Sequence, residues 1–356
     1  MGTSEIDRRQ FVQGASFLAL AGGLTGTAAM PAAAQLSGDA EQALYETAKK
    51  EGEFTWYVAH YSAEQAEAYG RAFMAKYPGI KANVVRTTAH VAYQRLTQEL
   101  KSGGPQVDAF ASTDVSHFIE LKSKGLLEKF VPANGKSILP TLQNTDPDGF
   151  FSTTSIGTIG IAINTDKVKL EDAPKNWPDL LDPKWKNQIA VAHPAFSGYA
   201  GIWVWQMTQL YKWDFFEKLK DGNPQIGRSM LDPLTMLRAG ERGIAATALG
   251  PSTEAGAKGE KIEIIYPTDG TILIIAPSAV VKGCKRPNAA KLFLEFMTST
   301  DASKVAISFF GESIHAAVPS RSKKQLTDIK TLIADPQALL KGVPELKEKW
   351  RDTFGV

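Results

Sequence analysis

The residue order predicts an α/β fold built as two doubly wound lobes, and three observations carry that expectation. Strand-like and helix-like segments alternate three times between residues 54 and 124, with clear punctuation at each change. The same alternation returns after residue 189. Between the two runs lie connectors at 144–150 and 173–186, marked by Asp146-Pro147, Trp177-Pro178 and Asp182-Pro183. Serial strand–helix units favour a parallel sheet covered on both faces.

Taken in order, Phe54–Ala59 is rich in aromatic and β-branched residues and reads as a strand. Ser62 is placed to cap a helix to Lys76, whose Ala66, Tyr69, Phe73 and Met74 recur at helical spacing. Tyr77-Pro78-Gly79 stops it. Ile80–Arg86 is a second strand, and Thr87 or Thr88 caps the next helix, which carries Tyr93, Leu96 and Leu100. After Gly103-Gly104-Pro105, Val107–Ala111 is a third strand, and Ser112-Thr113-Asp114 opens a helix at Val115–Lys124. In the second run, Ile189–Ala192 precedes a helix at Gly198–Tyr211 opened by Ser197. Gly243–Leu249 is followed by a helix beginning at Gly250-Pro251-Ser252. Thr271–Val281 reads as a long apolar strand, and Asn288–Thr298 as a helix packing through Ala289, Leu292, Phe293 and Phe296. No internal repeat and no low-complexity tract interrupts this order.

The N-terminus has a different grammar. Arg8-Arg9 precedes a short apolar run from Phe17 to Leu24, and Ala32-Ala33-Ala34 precedes Gln35. A basic stretch, an apolar stretch and an A-x-A site in that order read as an export signal at residues 1–34, and the paired arginines resemble the twin-arginine type. No cysteine follows the cleavage site to take a lipid. The expectation is a soluble chain starting near Gln35 in a bacterial periplasm. Removing residues 1–34 takes away Glu5, Asp7, Arg8 and Arg9, so the formal charge stays at +2. That balance gives no footing for nucleic acid or a membrane surface. About 320 residues remain, enough for two cores. Cys284 is the only cysteine, which excludes an intrachain disulfide and, in a Lys-Gly-Cys-Lys turn, points to a structural role.

Enzyme signatures are missing. Ser197 follows Ala195-Phe196 rather than the glycine of a nucleophile elbow, and Gly250–Lys258 lacks phosphate-loop spacing. His60, His90, His117, His193 and His315 show no paired metal-ligand spacing. No catalytic residue, cofactor or metal is therefore expected. The positive feature is a set of helix starts just after strands: Thr87-Thr88, Ser112-Thr113, Ser197-Gly198 and Gly250-Pro251-Ser252. Each offers unpaired N–H groups and the positive end of a helix dipole, where an anion can sit in the cleft of an open α/β sheet. Ordinary N-capping is the alternative reading of any one of them. Of the aromatics Trp56, Tyr61, Tyr199, Trp203 and Trp205, most belong in cores, and Tyr61 and Tyr199 are candidates for the cleft wall.

Longer stretches carry a family resemblance. Glu51–Tyr57, Phe73–Lys81, Gln94–Glu99, Asn176–Lys186, Tyr266–Gly270 and Ala289–Phe293 resemble bacterial extracellular solute-binding proteins, in particular the ferric-iron-binding-protein-like branch of ABC importers. The resemblance spans essentially the whole mature chain. It implies a type II periplasmic-binding-protein fold whose lobes close on a hinge near Gly157–Ile163 and Asp269–Ile274. It also implies an inner-membrane permease as partner, and a monomer. On this reading lobe 1 comprises residues 35–158 and 272–320, and lobe 2 residues 159–271 and 321–356. The branch's iron ligands do not carry over. Leu249-Gly250-Pro251-Ser252 stands where adjacent tyrosines would be, and Thr113 where an acid would be. Hard Fe(III) needs such anionic oxygens, so only His60 remains suggestive. The expected solute is a small organic anion bearing carboxylate, phosphate or phosphonate; an iron or iron-complex carrier is the alternative, and an enzyme on the same scaffold stands behind both. The expected ligand-binding set is Tyr61, Ser62, Thr87, Thr88, Thr113, Asp114, Ser155, Thr158, Ser197, Gly198, Tyr199, Gly250, Ser252 and Asp269.

Overall fold

The structure is a computed structural model and describes residues 38–315, 317–322 and 324–356. The export signal expected at residues 1–34 lies outside the described residues. From residue 38 onward the chain follows the predicted alternation closely. Its first part holds helix α1 (Gly38–Glu51), strand β1 (Glu53–Val58), α2 (Ala63–Lys76), β2 (Lys81–Arg86), α3 (Ala89–Lys101), β3 (Ala109–Ala111) and α4 (Val115–Ser123). Ser62 does cap α2, accepting from the Gln65 N–H at 3.1 Å. Strand β1 explains the two-sided sheet. Phe54, Trp56 and Val58 pack with α2 residues Ala66, Tyr69 and Phe73 on one face, while Tyr57 packs with Phe110, Ala92 and Leu96 on the other.

Strand β4 (Ser152–Asn164) then crosses into the second part: β5 (Ile189–Ala192), α5 (Gly198–Tyr211), α6 (Asp214–Asp221), β6 (Gln225–Gly227), α7 (Asp232–Arg238), β7 (Ile244–Ala248), α8 (Leu249–Ala257) and β8 (Ile262–Ile265). Strand β9 (Thr271–Val280) returns, followed by α9 (Pro287–Met297), α10 (Thr300–Ser308), β10 (Thr331–Ile333) and α11 (Pro336–Phe354). The strand order is β2-β1-β3-β9-β4-β7-β5-β6, with β10 beside β9 and β8 beside β4. Pairings β1–β2, β1–β3, β5–β6 and β5–β7 are parallel, as predicted. The two long strands are the exception. Strand β4 pairs antiparallel with β9 from Ser152↔Ser278 to Ile159↔Ile272, and also runs antiparallel to β7. Both halves therefore hang on one continuous ladder, with a register shift between Thr153 and Ser155.

Each half buries its own core. The second gathers Ile161, Trp177, Val191, Trp203 and Phe216 with Leu339, Val343, Leu346 and Trp350 of α11, so the C-terminal helix completes it. The first gathers Phe54, Trp56, Phe73, Phe293 and Phe296, which confirms the apolar face expected of α9. Among the described residues no helix is long and apolar enough to cross a membrane.

Candidate functional site

The two halves meet over a cavity of about 70 Å³. Its wall in the first half comes from the loop after β1 (Ala59–Ser62), Arg86 at the end of β2, Thr88 before α3, and Thr113 before α4. The second half supplies Ser197-Gly198-Tyr199 at the start of α5, Ser229–Leu231 before α7, and Ala248, Gly250 and Pro251 around the start of α8. Ile156, Gly157 and Thr158 of the crossing strand form its floor, and Gly311 and Glu312 close one side. Strand ends and helix starts thus converge on one place, as they do in open α/β sheets.

Contact across the cleft is close enough to require glycine twice. A Cβ on Gly198 would lie 2.4 Å from Thr113 Oγ1 and 2.9 Å from the Asp114 backbone nitrogen, so the start of α5 rests directly on the start of α4. A Cβ on Gly157 would overlap the Tyr199 hydroxyl at 1.9 Å.

The polar groups lining this space are unusual in what they lack. Thr88 Oγ1, Thr158 Oγ1 and both ring nitrogens of His60 are buried without a hydrogen-bond partner among the described residues. Thr88 is the N-cap of α3, yet its hydroxyl makes no capping bond. Leaving such groups dry and unpaired costs roughly 1–3 kcal/mol each, so a lining of this kind is built to be completed by something else. Arg86 is held by its Nε–H, which donates to the Tyr61 carbonyl at 2.8 Å. Burial lowers its pKa, and a guanidinium nonetheless keeps its charge at neutral pH. Asp232 lies near enough to attract it, but that carboxylate already accepts from the Arg228 and Ser229 N–H groups at the start of α7. Burial drives His60 down to about 3, with Arg86 adding to the effect, so its ring is neutral. Burial pushes the Glu312 carboxyl above the usual range, toward its neutral form. The lining thus sets the Arg86 guanidinium beside hydroxyl donors and a neutral imidazole, with the Glu312 carboxyl at one side.

Nine of the residues expected at the site line the cavity: Tyr61, Ser62, Thr88, Thr113, Thr158, Ser197, Gly198, Tyr199 and Gly250. Ser197 is the N-cap of α5, as anticipated, although its bond from the Ala200 N–H is long at 3.4 Å. Five others do not line this cavity, each for a local reason. Thr87 extends the β1–β2 ladder through its N–H to the Val58 carbonyl. The Asp114 carboxylate caps α4 through Ser116. Ser155 borders a separate small cavity beside Tyr69 and Ser303. The Ser252 hydroxyl is turned back onto the Ala248 carbonyl at 2.9 Å, because α8 already begins at Leu249. Asp269 accepts from the Trp177 N–H and from the Tyr211 hydroxyl, which makes it a clasp. Trp56 and Trp203 are fully buried core, as expected. Cys284 is half-buried and its thiol is pushed up to about 12 by burial, which suits a packing role.

Arg86, Gln65, Ser229 and Glu312 were absent from the expected set. Arg86 had a readable signal, a cation closing a strand directly before a helix-start pair; Glu312 had none, since its place depends on the chain returning from α10.

Comparison with known proteins agrees with this architecture. The family model described as bacterial extracellular solute-binding protein matches residues 105–325. Among solved structures, the periplasmic binding protein AfuA from Actinobacillus pleuropneumoniae, with exogenous fructose-6-phosphate bound, is 24% identical with a TM-score of 0.78, covering 86% of this chain and 99% of that one. Iron-bound HitA from Pseudomonas aeruginosa is 22% identical with a TM-score of 0.71, covering 85% and 99%. A spermidine/putrescine-binding periplasmic protein of Salmonella typhimurium is 22% identical over 258 residues, 66% of this chain and 70% of its own length. Three such different solutes on one fold leave the choice to the residues of the cleft.

Proposed function

The chain belongs to the bacterial extracellular solute-binding protein family, and from that premise we propose that it captures a small organic anion in the cleft, in the periplasm, for an inner-membrane ABC permease. The observation that carries the anion is the Arg86 guanidinium, set in the lining beside the unpaired Thr88, Thr158 and His60. A carboxylate or phosphate oxygen would pair with the guanidinium and accept from the hydroxyls and from the open N–H groups at the starts of α3 and α5. A polyamine would face Arg86 with a like charge. A sugar phosphate or a hydroxylated carboxylate satisfies both the cation and the hydroxyl donors, and AfuA's bound fructose-6-phosphate is a precedent on the same fold.

Residues 35–158 with 272–320, and 159–271 with 321–356, are the closing lobes in this reading, and β4 and β9 the segments that bend. A ligand that touches both lobes stabilises the closed state by its differential affinity for it. Thr113 and Gly198 are the touching points. The protein acts as a monomeric carrier without turnover.

His60 beside Tyr61 supports a second reading, an iron complex, since both line the cleft. Against it, burial pushes the Tyr61 and Tyr199 phenols up, away from the phenolate that Fe(III) takes. A thermal-shift screen with sugar phosphates, hydroxy and keto carboxylates, neutral sugars, polyamines and ferric citrate decides. Ligand at 100 times its Kd stabilises by about 2.7 kcal/mol. Shifts confined to anions are expected. Hits only among neutral sugars or polyamines refute the assignment, a charge-transfer band with ferric citrate promotes iron, and chemical conversion of a bound anion makes the protein an enzyme.

A further inference from the structure

Behind the cleft wall, the starts of α3 and α4 bring together three side chains that the cleft does not use. His90 is the second residue of α3, Asp114 is the N-cap of α4, and His117 lies one turn further on. His90 Nδ1 is 3.2 Å from His117 Nε2, and Asp114 Oδ2 is 3.7 Å from that same nitrogen. One ligand atom from each residue falls within 4.8 Å of the others. Ligands held at 2.0–2.1 Å around a tetrahedral ion are about 3.3 Å apart, so these edges need only small side-chain rotations to close on one. The geometry points to a divalent transition-metal site formed by His90, Asp114 and His117, with zinc as the ion that best suits two imidazoles and one carboxylate.

The surrounding groups orient the ligands as metal sites require. Ser112 Oγ is 3.0 Å from His117 Nδ1, so a proton on Nδ1 donates to the hydroxyl and leaves the Nε2 lone pair facing Asp114 and His90. Asp114 Oδ1 is engaged by the Ser116 N–H at 3.0 Å and by the Ser116 hydroxyl, which leaves Oδ2 for the ion. Tyr93 stacks on the His117 ring at 4.1 Å and 2°, fixing its plane. The three side chains are 5–15% exposed, so solvent competes little while an entry path remains. Hard cations such as magnesium and calcium are poorly served, since they take mainly oxygen ligands.

One group opposes the ion. Lys347 of α11 places Nζ 3.0 Å from His90 Nε2. Its ammonium donates to Nε2 and so leaves the His90 proton on Nδ1; the ion must displace that proton and turn Lys347 aside, and the lysine's charge competes with the metal. The site is separate from the solute cleft, so its test does not depend on which solute the cleft takes.

The test is zinc titration of the purified, chelator-stripped full chain by competition with a chromophoric chelator, with cobalt as the spectroscopic probe. One equivalent of zinc and a tetrahedral cobalt spectrum are expected. Asp114→Asn keeps a side chain that can cap α4 and should weaken binding at least about tenfold, and His90→Gln with His117→Gln should abolish the cobalt bands. Lys347→Met removes the competing charge and should tighten binding. A wild-type chain that takes up no zinc overturns the proposal. So does zinc uptake unchanged in both Asp114→Asn and the double histidine variant, with folding verified by circular dichroism.

Discussion

Replacing Gly198 with alanine adds one methyl group where the two halves touch. That methyl would sit 2.4 Å from Thr113 Oγ1 and 2.9 Å from both the Thr113 carbonyl carbon and the Asp114 nitrogen. Carbon prefers neighbours at about 3.5–4.0 Å, so contact must open by roughly 1 Å, and two of the three obstructing atoms are backbone. Trimming Thr113 alone therefore cannot relieve it. Overpacking of this kind costs about 1–3 kcal/mol. Because the clash lies between the halves, opening the cleft removes it, and the cost falls on the closed state alone. The unliganded protein should melt within about 1 °C of wild type, while affinity for whichever anion the screen finds should drop about 5- to 150-fold. Gly201→Ala on the same helix is the control. Its new methyl meets only Val343 Cγ1 at 3.3 Å and the Pro194 carbonyl at 3.7 Å. Alanine gains up to about 1 kcal/mol of helix propensity there, so neutral or raised stability and unchanged affinity are expected. Calorimetric titration and differential scanning of the three proteins are the assay. Wild-type affinity in Gly198→Ala, or an equal loss of melting temperature with and without ligand, refutes the argument.

Arg86→Met should cost at least about tenfold in anion affinity, from the loss of a charge-assisted bond of roughly 1.5–3 kcal/mol; Arg86→Lys should recover part of it, and equal affinity in all three proteins would remove Arg86 from the site. Ser197→Ala should weaken binding by about tenfold while lowering stability by less than the ~1 kcal/mol of an ordinary cap, because its capping bond is long at 3.4 Å. Destabilisation without loss of affinity would make Ser197 a plain cap. His60 stays neutral in the fold until about pH 3, whereas the unfolded chain takes up its proton near 6.5, so stability should fall as pH drops between those values. The slope is at most about 1.4 kcal/mol per pH unit for this group, and His60→Gln should flatten urea-denaturation stability against pH by that amount; parallel profiles would show that the ring is not buried neutral.

Helix starts were the most legible part of this chain because capping is local. Ser62, Ser197 and Asp114 each bond an N–H within three residues, so a few consecutive letters contain the whole interaction. Strands β1, β5 and β7 were equally readable, since buried parallel strands need uninterrupted apolar runs. Strand β4 was harder. Sequence reading reached only its hinge stretch at Gly157–Ile163, where Gly157 and Gly160 mark places where Tyr199 and Leu249 come too close for a Cβ. Cleft membership was legible only in part, for a different reason. Thr88 and Ser252 look alike in sequence, both hydroxyls beside a strand end, yet one hydroxyl is unpaired in the cavity and the other bonds its own helix. Where the preceding helix residue falls decides between them, and that is set by packing. Asp269 was expected from the hinge, but its partners Trp177 and Tyr211 are distant in sequence.

The continuous ladder through β4 and β9 also sets a schedule. Strand β3 lies beside β9, with Ala109 opposite Val280, and the core of the first half is filled by Phe293 and Phe296 from α9. A ribosome releases residues 53–111 long before it releases those partners. Until then the early sheet has a bare edge at β3 and an unfilled apolar face, which is the kind of surface that invites wrong pairing. The first half is thus finished only when α9 arrives, and the second half, begun later, is finished later still, when Leu339–Trp350 of α11 arrive. Neither half can mature during synthesis. The polypeptide must therefore be kept from aggregating until α11 has arrived.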